Sequence, residues 1–370
     1  MTTQRDLVRA LERSGAVPEP WRDAVAAVDR ALFIPPRFGG HDVAADPEAW
    51  RAAVYSDVPI ITQVNDGREL GDGAFERPSS SSSMPSLMLE MLELLQVRDG
   101  DRVLEIGTGT GYHAAWLCHR LGQERVTTVE YDPGLAERAR RALAAAGFAP
   151  RVLIGDGLAG DASGAPYDRV IATCTLRDFG RLVAQCPNGR IVAPWGSSFF
   201  HASFATVDVR DGVGTGRLSG DPSFMWDRVR PAGAGHIRDY YHDQSGDPGR
   251  TRVPPQNVLQ TDPAFFVSLH VTDAWYRWSA ADDDSGEATL WLFADDKRSW
   301  ATVEYAPRTA EFETDQYGPR RLWDEVEAAF RRWEALGSPA RDRFGLTVGP
   351  DGHPSVWLDD PATPVTHASP

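Results

Sequence analysis

The sequence predicts an α/β protein: a parallel sheet covered by helices on both faces, followed by a smaller α+β unit. Three observations carry that expectation. Five short apolar segments, at 102–106, 125–129, 151–154, 168–173 and 190–194, alternate with helical or irregular stretches, and such strands pair in parallel beneath a double helical cover. A turn with glycines at 107, 109 and 111 joins the first strand to the helix after it. Beyond about residue 233 the chain becomes strand-rich and aromatic, and seven of the 12 tryptophans lie past residue 258.

The elements follow in order. A short helix is expected over 6–13. A second covers 21–32, where Trp21, Val25, Val28 and Leu32 share one stripe and Pro35-Pro36 ends it. Residues 41–77 read as irregular, with a short strand within 53–62. The serine run 79–83 has the composition of a flexible linker. Pro85 then opens an apolar helix through Leu95, since proline suits a first helical turn. Helices at 112–121 and 135–146, the latter stopped by Gly147, lie between the sheet strands. In the last part, strands are expected at 265–271, 289–293 and 301–305. Two more at 344–348 and 355–358 flank the turn Pro350-Asp351-Gly352. A helix carries Trp323, Val326, Phe330 and Trp333 on one face, with Gly337 after it. At about 150 residues per domain, two domains are expected. The assigned bounds are 1–80 for an N-terminal helical and irregular segment, 81–235 for the α/β domain, 236–258 for a linker and 259–370 for an α+β unit that selects substrate.

Composition narrows the function. A formal charge of −15 disfavours general binding to a nucleic-acid backbone. No apolar run is long enough to span a membrane. Three cysteines, none in a Cys-x-x-Cys spacing, fit a reducing cytoplasmic setting. The nine histidines form no metal-ligand pattern, so no metal is expected. Asp282-Asp283-Asp284 reads as a solvated loop. Arg320-Arg321 and Arg331-Arg332 read as a solvated helix face, or else as a patch attracting an acidic peptide.

The informative segment is Val103-Leu104-Glu105-Ile106-Gly107-Thr108-Gly109-Thr110-Gly111-Tyr112. Glycines between a strand and a helix let the backbone turn sharply and approach a ligand. Glu130 ends the second strand, where a carboxylate can accept from ribose hydroxyls, with Tyr131 next to it. Asp156-Gly157 follows the third strand, placed to read an adenine edge. A dinucleotide loop spaces its glycines G-x-G-x-x-G; here the spacing is G-x-G-x-G. Glu105 suits a cationic amino or sulfonium group better than a pyrophosphate. Together these features favour S-adenosylmethionine over NAD. The expected cofactor residues are Glu105, Gly107, Thr108, Gly109, Gly111, Tyr112, Glu130, Tyr131, Asp156 and Gly157.

From about Val25 to Arg230 the chain resembles the protein L-isoaspartate O-methyltransferases. The resemblance rests on residues 25–33, Tyr55-Ser56-Asp57, Ser83-Met84-Pro85 leading into 87–95, 103–116, Asp156-Gly157, 167–173 and 188–196. It implies a Rossmann-like methyltransferase that transfers methyl to a side-chain or isopeptide carboxylate. Members usually carry Thr-Ile-Ser-x-Pro, for which Ser81-Ser82-Ser83-Met84-Pro85 stands in, and usually stop near the end of the methyltransferase domain. The long extension resembles methyltransferases of ribosomal peptide biosynthesis. It implies as substrate a precursor macrocyclised by an ATP-grasp ligase (a graspetide) or a lanthipeptide. One aspartate is methylated there, and the ester can close to an aspartimide. The alternatives are an isoaspartyl repair enzyme and a noncatalytic precursor-binding module. A carboxylate with a reference pKa near 3.9 is ionised at neutral pH, so positioning and water exclusion are needed, not a base. The resemblance assigns positioning to Ser83 first, then Ser82 and Ser81. Ser83, just before the Pro85 helix, otherwise reads equally well as that helix's N-cap.

Overall fold

The structure is a computed structural model describing residues 2–68, 76–230 and 235–365. In α1 (Gln4–Arg13), Asp6 accepts from the backbone and hydroxyl of Thr3 at 2.9 and 2.8 Å, fastening the first turn. The helix expected over 21–32 is interrupted. Regular α2 covers only Arg22–Ala27, and extended Val28 and Asp29 lead to a 3-10 turn at Arg30–Phe33. The Asp29 carboxylate caps that turn at Ala31, as aspartate does where it competes with continued helix. A small pairing of β1 (Arg37–Phe38) with β2 (His41–Asp42) precedes α3 (Pro47–Val54). Thus only Ala53 and Val54, the first two residues of the stretch expected to hold a strand, are helical. The strand there is β3 (Ile60–Val64), and it pairs antiparallel with β4 (Pro78–Ser82). The serine run is therefore a strand, with Ser80 and Ser82 buried, and not a loose linker.

From α4 (Pro85–Leu95) the expected alternation is realised through β5 (Val103–Ile106), α5 (Tyr112–Leu121), β6 (Val126–Glu130), α6 (Pro133–Ala145), β7 (Arg151–Ile154), β8 (Arg169–Ala172), α7 (Leu182–Gln185) and β9 (Arg190–Trp195). These strands pair in parallel in the order β9-β8-β5-β6-β7. Val103 faces the core formed with α1, α2, α4 and α5, and Leu104 faces the opposite core. Both faces are buried along β5, β6, β8 and β9, hence the lack of strict apolar–polar alternation there, whereas edge strand β7 exposes Arg151 and Ile154.

The sheet then continues beyond the expected domain. A hairpin of β10 (Ser203–Arg210) and β11 (Val213–Ser219) adds antiparallel to β9. Next come β12 (Asp247–Thr251), α8 (Pro255–Val258), α9 (Thr261–Ser268), β13 (Ala274–Ala280), β14 (Ala288–Ala294), β15 (Trp300–Tyr305), β16 (Phe312–Tyr317) and α10 (Leu322–Ala335). The chain closes with β17 (Phe344–Val348) and β18 (Pro354–Leu358). A second, antiparallel sheet has the order β12-β16-β15-β14-β13. The last two strands instead return to the first sheet, where β17 pairs with β11, making nine strands in all among the described residues.

Three expectations are corrected here. The α+β unit does not run continuously from 259 to the end, because β17 and β18 belong to the first sheet. The stretch 236–258 is not merely a linker, because β12 is an edge strand of the second sheet. Residues 265–271 do not form a strand but mostly lie in α9, whose residues 263–268 are all buried. Phe265 and Phe266 pack on the first sheet's core while Val267 packs under the second sheet. A helix buried on every side has no polar face and so no helical periodicity to read.

Two arginines fasten this arrangement. Arg341 donates to the carbonyls of Ala202 and Gly220 and pairs with Asp221 at 3.0 Å, tying the approach to β17 onto the β10–β11 hairpin. Arg30 is fully buried. Its guanidinium donates to the carbonyls of Val54 (3.1 Å), Ser56 (2.7 Å), Val58 (2.9 Å), Ser82 (3.4 Å) and Ser83 (3.2 Å). It has no carboxylate partner among the described residues, and burial pulls its pKa down to about 10.

Replacing Arg30 by Met should lower unfolding stability by about 3 kcal/mol or more, since several carbonyls lose a charged donor. Urea midpoints would measure this, and lysine, a point donor without the planar fork, should recover less than half. Removing residues 341–370 should leave β11 as an unpaired edge and abolish cofactor binding by calorimetry. A monomeric truncated protein with undiminished binding would show that β17 and β18 are dispensable.

Candidate active site

A cavity of 610 Å³ opens at the carboxyl ends of β5, β6 and β8, within the roughly 300–1,000 Å³ range of small-molecule sites. One wall is the glycine turn after β5. Gly109 has φ 55°, its N–H donates to Glu130 Oε2 at 2.8 Å, and a side chain there would begin 3.4 Å from the carbonyl of Ser81. The glycine turn and the serine strand thus face each other closely, so a cofactor on the turn would adjoin an acceptor on the strand. Gly107 lies against Thr173, whose hydroxyl donates to its carbonyl at 2.7 Å. A Cβ at 107 would sit 2.7 Å from that hydroxyl oxygen.

Glu130 accepts from the N–H groups of Gly109 and Asp132, one on each carboxylate oxygen. The oxygens retain lone pairs for further donors. Burial raises its pKa, against the lowering effect of those two N–H groups and of Arg228. Thr108 lines the cavity and shares a 2.7 Å hydrogen bond with Thr128. Tyr112 lines it as a buried ring packed 4.7 Å from Trp116, and Tyr131 stands half-exposed on its lining. Gly157 also lines it, with room only for hydrogen: a Cβ would meet Ile106 at 2.3 Å.

Three expected cofactor residues do other work. Glu105 is wholly buried and outside the lining. It takes hydrogen bonds from His113 Nδ1 (2.5 Å) and Thr128 Oγ1 (2.6 Å), so it holds the wall instead of a ligand cation. Gly111 faces α6, where a Cβ would meet Leu143 at 3.2 Å, so helix packing requires it. Asp156 caps Leu158 at 2.9 Å and pairs with Arg230 at 3.0 Å. The residues present still fit S-adenosylmethionine: a bare backbone turn, a buried acceptor carboxylate at the end of the second strand, and apolar walls around both.

On the acceptor side, Ser81, Ser82 and Ser83 all line the cavity. Ser82 is buried and its hydroxyl lies 3.4 Å from Arg30. The Ser83 hydroxyl has no partner among the described residues, and the N-cap of α4 is Met84, so Ser83 does not serve as a cap. The first turn of α4 is less open to an anion than expected, because Asp57 already accepts from the N–H of Ser86 at 2.9 Å. Several lining residues were not foreseen. Met225, Trp226 and Arg228 come from the segment after β11. Arg228 fastens that segment by donating to the carbonyl of Ser79, to Gln63 (2.9 Å) and to Asp132 (3.2 Å). Cys174 lines the cavity too, its thiol pushed to high pKa by burial. No group of three or more potential metal ligands occurs among the described residues, and none of their helices is long and apolar enough to cross a membrane.

Because burial raises the Glu130 pKa above its ordinary 4.5, the protonated form appears at higher pH than for an exposed glutamate. Protonation removes acceptor capacity, so S-adenosylmethionine affinity should fall as pH drops towards that raised value. Glu130→Gln should weaken binding by about tenfold or more and flatten the pH dependence, as calorimetry at several pH values would show.

Residues 2–212 match the family model described as Protein-L-isoaspartate(D-aspartate) O-methyltransferase. Protein-L-isoaspartate O-methyltransferase 2 of Archaeoglobus fulgidus is 37% identical over 180 residues, which cover 48% of this chain and 70% of that one. The protein-L-isoaspartate O-methyltransferase of Thermococcus onnurineus is 37% identical over 225 residues, covering 59% and 90%. A solved protein-L-isoaspartate O-methyltransferase superposes with a TM-score of 0.56 at 21% identity, covering 96% of this chain and 100% of its own. That likeness is one of fold, and it includes the extension. The chain belongs to the protein-L-isoaspartate(D-aspartate) O-methyltransferase family and is, with it, an S-adenosylmethionine-dependent protein carboxyl O-methyltransferase.

Proposed function

We propose that this enzyme methylates an aspartate side chain of a ribosomally made peptide already macrocyclised by an ATP-grasp ligase, and that the ester then closes to an aspartimide. The observation supporting a dedicated peptide acceptor is the placement of the segment Asp221–Val229. It lines the cavity beside the serine strand and lies beyond residue 212, where the family match ends. A second reading, repair of isoaspartyl residues in many proteins, is supported by the names of the relatives. An equivalent reaction on a lanthipeptide uses the same site. The intact glycine turn and Glu130 count against a noncatalytic module.

S-adenosylmethionine, when bound, supplies an electrophilic methyl group. The chain's own part is placement. An ionised carboxylate needs no base, so Ser83 orients it by donating from Oγ, and Arg30 fixes the carbonyls of Ser82 and Ser83 that set the position of that hydroxyl. Met84, Leu87, Met88, Phe224 and Trp226 supply apolar lining that excludes water. The arginines expected to attract an acidic peptide are largely occupied. Arg320 pairs with Glu325 (2.5 Å), Arg321 with Asp247 (2.7 Å) and Arg331 with Glu327 (2.6 Å).

Ser83→Ala should leave S-adenosylmethionine binding unchanged and lower kcat by about tenfold or more; undiminished turnover would remove Ser83 from the mechanism. Linear precursor, cyclised precursor and short isoaspartyl peptides, assayed by mass spectrometry, separate the two readings. Maturation requires gain of one methylene on the cyclised precursor alone, then loss of methanol. Efficient methylation of assorted isoaspartyl peptides would establish repair instead.

A further inference from the structure

The second sheet buries one face against α9 and α10, as Ala301 and Val303 show. Its other face should be solvated and polar, yet it carries Trp275, Trp291, Phe293, Trp300 and Tyr317 in register. Tyr240 and Tyr241 cover one end, with Tyr241 centred 5.1 Å from Trp300 and 5.6 Å from Trp291. Towards β12 the face stays open as a cavity of 510 Å³, lined by Tyr241, Trp291, Trp300, Thr302 and Asp315, with Arg250, Glu304 and Glu313 around them.

Two polar groups in this lining lack partners among the described residues. Trp300 is 2% exposed and its indole N–H has no acceptor. Asp315 has a buried Oδ1 without a donor and no ion pair. The two sit on adjacent strands, since Thr302 pairs with Asp315 and Trp300 with Tyr317. An unsatisfied buried polar group costs about 1–3 kcal/mol, so two side by side ask for an explanation. The other charges are already engaged. Arg250 lies 2.9 Å from Glu311 and 3.8 Å from Glu313, and Glu304 accepts from Thr289 at 2.7 Å. The lining therefore carries excess negative charge centred on Asp315, beside the faces of Trp291 and Tyr241. A cation on an aliphatic stem satisfies both features, pairing with the carboxylate and lying over the rings. An anion is repelled, and a neutral sugar leaves the Asp315 charge unpaired.

We infer that this open face of the second sheet binds a lysine or arginine side chain of a peptide, with Asp315 as counter-ion, Trp291 and Tyr241 as walls and the Trp300 N–H as donor to a neighbouring main-chain carbonyl. The inference rests on the reading that the substrate is a peptide. It makes the second sheet a recruitment site that holds a segment remote from the methylated residue.

The test uses the full chain with tryptophan indole nitrogens labelled and observed by NMR. The Trp300 signal is identified by its loss in Trp300→Phe. The probe is the capped tripeptide acetyl-Gly-Lys-Gly-amide, with its norleucine counterpart and maltose as comparisons. The lysine peptide should shift the Trp300 and Trp291 signals saturably, the norleucine peptide should not, and Asp315→Asn should weaken the effect by about tenfold. S-adenosylmethionine binding by Asp315→Asn should remain unchanged, which also shows that this variant is folded. No shift, an equal shift with norleucine, or saturation by maltose alone would overturn the inference. No outcome depends on turnover, so the result stands apart from whether the proposed methylation is correct.

Discussion

A single buried cation organises the acceptor side of this enzyme. Arg30 forms no ion pair among the described residues; its charge is stabilised chiefly by carbonyl dipoles arriving from separate stretches of chain, with the Ser82 hydroxyl at 3.4 Å, the Tyr112 ring 6.0 Å away and a longer-range attraction from Asp57. Such a cation is tolerated in the interior only while the surrounding carbonyls keep their places. The requirement works in both directions. The 54–58 segment must fold back over the 3-10 turn, and β4 must end where Ser82 and Ser83 can present their carbonyls. The broken second helix is part of the same constraint: a continuous helix through residue 32 would carry the guanidinium elsewhere.

That constraint explains which parts of the structure were legible in the sequence. The parallel strands β5, β6, β8 and β9 bury both faces, and the apolar residues at neighbouring positions along them announce them. The glycine turn is equally local, since positive φ and close backbone approach leave a mark at each position. Arg30 leaves no such mark, for one arginine among many looks like surface until its carbonyl partners are known. The serine run misled for a related reason. Its composition is that of a linker, whereas its conformation is set by pairing with β3 and by the arginine beneath it. Helix α9 misled in the opposite sense, because layers on both sides erase the polar stripe that betrays a helix.

The site divides along the same line. Glu130 and Gly109 could be placed from motif position, and they do meet, through a hydrogen bond. Glu105 lies within the same motif, but strand alternation turns its side chain into the core, where His113 and Thr128 hold it. Nothing local marked Met225, Trp226 or Arg228. Their wall exists because the chain turns back after β11, a long-range event without a short sequence signature.

The return of β17 and β18 to the first sheet has a consequence for biosynthesis. Strand β11 leaves the ribosome more than a hundred residues before its neighbour β17. In that interval the nascent sheet has an open edge, and the groove destined for Phe344 is bare, a state that favours wrong pairings. The intervening residues must close a very long loop before the last contacts form, which slows completion of the fold. The sheet that carries the glycine turn is thus finished only when translation has passed residue 358.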